Sequence, residues 1–190
     1  MGGKGGWRLG GVCPRPGKEW LSPSEHPSVE DTYRHVLRVK NLMDFLREMI
    51  RARGVVHDKS KFYEPELQGF DKLTPKLKAC TYGSDEYKGF LAELKPVLDH
   101  HYANNKHHPE FHPDGIDGMD IVDLVELICD WKAASERHKD GDLVKSIQFN
   151  KARFKMSDQL EHILLNTAKI LVGAKMPSHK AKSKQVSDHA

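Results

Sequence analysis

Five histidines crowd into the segment from Asp99 to Asp114: His100, His101, His107, His108 and His112. No other stretch limits the fold as strongly, because imidazoles gathered this densely need partners. Imidazole is the commonest side chain for holding a transition metal, and it titrates near neutral pH. The question for the rest of the chain is which further ligands can reach this run.

The flanking sequence reads as helices, and no stretch alternates in the manner of a strand. Ser28 to Asp31 forms a helix cap, and a helix follows to about Arg53 with Gly54 as its stop. Val29, Tyr33, Val36, Met43, Leu46 and Ile50 recur along it at helical spacing. Leu67, Phe70, Leu73 and Leu77 mark a helical face within 64–83, interrupted near Pro75, and Tyr82-Gly83-Ser84 reads as a turn. Asp85 to Ala103 follows as a helix on which Tyr87, Phe90 and Leu94 share a stripe and Pro96 should kink the chain or mark a boundary. Helices are then expected over 120–138, from Leu143 to about Arg153, and from Ser157 through Leu171. The fold class is all-α: a single helical bundle over residues 28–172, between a flexible Gly- and Pro-rich arm (1–27) and a disordered, Lys-rich tail (173–190).

Composition narrows the function classes. The net charge of +3 is carried by the termini, with four Lys or Arg against two Glu in 1–27 and four Lys against Asp188 in 173–190. The middle of the chain is acidic, so nucleic acid is not the expected partner. No apolar run approaches the ~20 residues of a membrane span, and no apolar leader opens the chain. The scattered Cys13, Cys80 and Cys129 suggest neither a disulfide framework nor a zinc ribbon. A reducing, cytoplasmic setting is expected.

Several ligand types converge on the histidine run. His35 shares a helical stripe with Val39, Leu42, Leu46 and Met49, which turns it inward. His57 and Asp58 are adjacent and close an apolar run, where a buried charged pair needs compensation such as a cation. Asp130 lies among Ile128, Cys129 and Trp131 on a stripe with Asp123 and Glu126. Asp123 reads as part of a solvated face. Helix phase turns His101 inward, and His107 and His108 stand at the entrance to a long loop. Neutral imidazoles mixed with carboxylates suit a divalent ion, one or two per chain, drawn from Mn, Fe, Co, Zn, Ni or Mg. Asp58 is the natural bridge between two. Asn105, Glu110 and Glu126 are read as supports for ligands; Lys132 and Arg137 are read as a solvated helix face rather than as phosphate contacts. His100 and His112 have only proximity in their favour.

The order His35, His57-Asp58, Asp130 resembles the four-ligand signature of the HD-domain superfamily of metal-dependent phosphohydrolases. His101, His107 and His108 resemble the extra histidines of its two-metal members. The blocks HDKSKF, HHYANNKHHPE and DLVELICDWKAAS are similar to an uncharacterised, HD-like family of unknown function, over about residues 28–172. The resemblance implies a metal buried among helices and hydrolysis of a phosphate ester or anhydride. It assigns Asp58, Lys61, His101 and His108 to catalysis, although Ser60 replaces the glycine that precedes the corresponding lysine. A small phosphorylated metabolite or nucleotide is then the expected partner, and an oligomer is allowed. The same ligand types also serve a di-iron oxygenase or a metal that only staples the fold.

Overall fold

In the computed structural model, the described residues are 27–79, 84–137 and 141–173. They form six α-helices and three short 3-10 turns, with no strand among them. The all-α expectation holds. No helix among the described residues is long and apolar enough to cross a membrane. The terminal arm and tail, Trp7, Trp20, Cys13, Cys80, the turn at Tyr82-Gly83 and the side chains of Leu77 and Tyr87 lie outside the described residues.

The chain divides into two compact units, residues 1–47 and 48–190. The first contributes one described element, the helix from Pro27 to Arg47, which is the greater part of α1 (Pro27–Val56). Proline fits the first helical position because its missing N–H would be unpaired there anyway. Val36, Leu42, Met43 and Leu46 are exposed along this helix, and so is His35. The inward stripe expected from periodicity is therefore exposed among the described residues.

The second unit begins in the last turns of α1. Gly54 sits inside the helix rather than ending it; nothing lies within 4 Å of where its Cβ would stand. The 3-10 turn Lys59–Phe62 follows, then α2 (Glu66–Ala79) and α3 (Asp85–Asn104). These two helices meet closely at Gly69, where a Cβ would come within 2.4 Å of Val97 Cγ2. Leu73 and Leu94 are buried on them. Pro75 and Pro96 lie inside these helices without ending them.

The loop after α3 carries the other two 3-10 turns, Pro109–Phe111 and Gly115–Gly118. Asp120 then caps α4 (Ile121–Ser135), accepting from the N–H groups of Val122 and Asp123, while the Asp123 side chain accepts from the Asp120 N–H. This reciprocal capping fixes where the helix starts. Next come α5 (Leu143–Phe154) and α6 (Asp158–Gly173). Leu127, Ile128, Leu143, Ile147, Leu164 and Ala168 form the core among these three helices, joined by Ile116 from the loop.

Helix α4 is thus two-sided. Leu127, Ile128 and the half-buried Leu124 and Trp131 belong to the core. Asp123, Glu126 and Asp130 recur on its other stripe, at steps of three and four.

Candidate metal centre

The His57–Asp58 pair stands at the turn between α1 and the first 3-10 turn. Asp58 has φ 53° and ψ 20°, in the left-handed region. That conformation costs an L-residue about 1–2 kcal/mol, and aspartate is among the few side chains that tolerate it. The sharp turn leaves His57 Nε2 3.6 Å from Asp58 Oδ2, so neighbours in sequence serve one cluster.

Three imidazoles approach the same carboxylate. His101, in the last turn of α3, places Nε2 3.3 Å from Asp58 Oδ1. His107, from the loop, places Nε2 3.4 Å from that oxygen. His108 Nε2 lies 2.9 Å from His101 Nε2. His101 and His107 are buried, at 2% and 1% exposure. Asp58 Oδ1 and His107 Nε2 are both buried and have no hydrogen-bond partner. Leaving such groups unpaired costs about 1–3 kcal/mol each.

This donor set fits a divalent cation. Ligand atoms ~2.0–2.1 Å from a tetrahedral ion stand ~3.3–3.4 Å from one another, matching the two separations at Asp58 Oδ1. Asp58, His101, His107 and His108 together could hold a metal ion, as could His57, Asp58 and Asp130. In the second grouping His57 Nε2 lies 3.6 Å from Asp130 Oδ1. Asp58 is common to both, with Oδ1 toward His101 and His107 and Oδ2 toward His57 and Lys61.

Buried carboxylates orient the rings from behind. Glu66 opens α2 and has no exposed surface. It accepts from His101 Nδ1 at 2.8 Å, from His100 Nδ1 at 2.8 Å and from Ser60 Oγ at 2.9 Å. The first bond leaves His101 Nε2 free to face Asp58. Asn105 ties this layer together, donating to Ser60 Oγ at 2.7 Å and to the His101 carbonyl at 2.7 Å. On the other side, His57 Nδ1 donates to Glu126 Oε1 at 2.9 Å, and His107 Nδ1 lies 3.2 Å from the same oxygen. Arg53 then pairs with Glu126 at 2.6 Å and Asp123 at 2.7 Å. Such outer partners fix ring orientation in metal sites.

The electrostatics follow from these contacts. Burial works against the Asp58 carboxylate, but His101, Lys61 and His57 outweigh it and hold it well below the usual range. Glu126 is held low against its own burial by His107, His57 and Arg53. The carboxylates of Asp130 and Glu126 raise His57 to about 10. Burial, then His107 and His101, push His108 down to about 3. His108 is therefore a neutral imidazole with a lone pair to offer.

Of the residues singled out from the sequence, His57, Asp58, His101, His107, His108 and Asp130 come together in one unit. His35 is in none of the groupings formed by the described residues. Lys61 lies 2.5 Å from Asp58 Oδ2. Asp123 is buried at 3% exposure and not solvated, because Arg53 reaches it across from α1. Glu126 holds His57 and is near His107, and the expected support of Asp130 is not its role. Glu110 pairs with Arg153 at 2.7 Å. His100 is bound to Glu66, and His112 Nε2 donates to the Lys106 carbonyl at 2.8 Å. Glu66 and Arg53 were not singled out; each is one charged residue on a helix, and only packing reveals its partner.

A model of the family of unknown function DUF5662 matches residues 24–170. The chain belongs to that family. No curated protein and no solved structure matches it. The DUF5662 match spans α1 through most of α6, so it takes in every residue of the three groupings that could hold a metal, the third being His57, His107 and Glu126. The expected kinship with a family of unknown function is met, and in this DUF5662 chain the His/Asp cluster is compatible with an HD-like metal site.

Proposed function

We propose that the chain is a metal-dependent phosphohydrolase of the HD type, acting on a small phosphorylated metabolite. The observation that carries this reading is Asp58, whose two oxygens face two different ligand groupings while a lysine sits on one of them. His101, His107, His108 and Asp58 would hold one divalent ion; His57, Asp58 and Asp130 would contribute to a second. A divalent ion in such a set acts as a Lewis acid toward a phosphoryl oxygen and acidifies water. His35 has no part in the proposal.

The chain's own groups supply the rest. A cavity of about 510 Å³ opens on His57 and Asp58 and is lined by Lys61 and Arg137. Two cations beside the carboxylate bridge suit an arriving phosphoryl group, which carries negative charge on several oxygens. Lys61 can exchange its bond to Asp58 for one to phosphate without leaving the cavity. Asn105 and Ser60 keep Glu66 on His101, so the imidazole faces the bridge before any substrate arrives.

The test is turnover of 4-nitrophenyl phosphate and bis(4-nitrophenyl) phosphate by the full chain loaded with manganese. Release of nitrophenolate should depend on the metal and fall at least ~100-fold in Asp58→Asn. Lys61→Met should mainly raise KM. No turnover of either ester, with oxygen consumed by the iron-loaded chain instead, would replace the hydrolase with an oxygenase.

A further inference from the structure

A second cleft reaches the candidate centre from the side of α5. It has a volume of about 290 Å³, and two of its lining residues, His108 and Asp130, belong to the metal-binding groupings. Tyr102 from α3, Trp131 from α4, and Asn150, Arg153 and Phe154 from α5 line it as well. The Trp131 and Phe154 rings lie within 8° of parallel, with centroids 6.3 Å apart. Both pack against the buried core.

Arg153 is held from three sides. Its guanidinium carbon stands 4.7 Å from the Phe154 ring centroid and 6.0 Å from that of Tyr102. Its Nη2 donates to Glu110 Oε1 at 2.7 Å. A guanidinium has five N–H donors, so the bond to Glu110 leaves others to offer. Because Glu110 already neutralises the charge, a neutral acceptor fits beside Arg153 better than a second anion.

The other two cavities at the cluster have different chemistry. The one at Lys61 and Arg137 is cationic at the bridge and suits the phosphoryl group itself. The one between α1 and α4 is walled by Ile50, Val122 and Val125, and its cation, Arg53, is committed to two carboxylates. Of these three cavities, the one at Lys61 and Arg137 has Phe62 and Phe70 but no side-chain amide, whereas the α5 cleft sets Trp131, Phe154 and Tyr102 beside both Arg153 and the Asn150 amide.

We propose that this cleft takes the organic group of a phosphate ester, namely an aromatic ring that stacks on Trp131 and carries a neutral carbonyl acceptor facing Arg153. The inference rests on the phosphohydrolase reading and adds the substrate class to it. Trp131 and Arg153 are specificity-determining residues on this view, and the metal ligands do not change.

Binding of non-hydrolysable phosphonates to the manganese-loaded full chain tests it by calorimetry, without any need for turnover. Phenylphosphonate should bind about tenfold tighter than methylphosphonate, the size expected of one stacking contact. 4-Carbamoylphenylphosphonate should bind several-fold tighter still. Arg153→Met should erase only the carbamoyl increment, and Trp131→Leu the ring increment. Trp131 touches the core, so if Trp131→Leu does not fold, the ligand series on the unaltered chain and on Arg153→Met decides. Equal affinity for methyl- and phenylphosphonate overturns the cleft while leaving the phosphoryl site intact. A carbamoyl increment that survives in Arg153→Met overturns the role of Arg153. Failure of all three to bind removes the phosphohydrolase reading, and the cleft proposal with it.

Discussion

Asp58 Oδ1 and His107 Nε2 face each other at 3.4 Å, both buried and neither hydrogen-bonded. A folded chain rarely tolerates two such atoms side by side, and a cation between them satisfies both. Loading the chain with metal should therefore raise its melting temperature over the chelated form. At a hundredfold excess over Kd the gain is about 2.7 kcal/mol, or roughly 5–10 °C for a chain of this size. Differential scanning fluorimetry with zinc or manganese, against EDTA, checks this; coincident curves would remove the metal site.

The buried carboxylate of Glu66 should set metal affinity without touching the ion. In Glu66→Gln an amide, which also donates, meets the N–H of His100 and His101. Affinity should drop about 10- to 100-fold, the usual cost of losing an outer-shell partner. Competition titration with a chelating dye reads this, and circular dichroism should show the same helix content as the parent.

Arg53 links α1 to α4 through two carboxylates whose side chains are only 4% and 9% exposed. Arg53→Met leaves both without their cation. Stranding a buried charge costs about 3–5 kcal/mol, and the partial exposure of Arg53 argues for the lower end. Arg51→Met is the control. Arg51 is 78% exposed and 3.9 Å from Glu48, so its loss should cost under about 0.5 kcal/mol. Urea midpoints for the two variants make the comparison.

In the metal-free chain, the His57 imidazole should stay protonated well above neutral pH. Asp130 and Glu126 raise it to about 10 from an ordinary 6.5. A raised value stabilises the fold fully below the unfolded-state pKa, and that contribution is lost as pH rises through about 10. Proton-detected NMR of the EDTA-treated protein follows the ring directly. A midpoint near 6.5 would mean that the two carboxylates do not face it.

Helix content was legible because apolar spacing and caps are local. Asp120 acts within the first turn of the helix it caps. Ligand types were legible too, since His57-Asp58 and the histidine run are compact in sequence. What the sequence did not disclose is direction. The apolar stripe through Val36 and Leu46 looks the same whether or not a partner covers it, and among the described residues it is exposed. Asp123 looks solvated until Arg53, seventy residues away, arrives beside it. Glu66 has no local signature, because its role depends on α2 meeting α3 at Gly69.

The two faces of Asp58 also differ in what they ask of an incoming ion. His108 brings a bare lone pair at neutral pH, whereas His57 must first give up a proton held tightly by Asp130 and Glu126. On the proposed reading, the triple-imidazole pocket therefore takes an ion more readily than the second position, and the positive charge it gains weakens the hold on that proton.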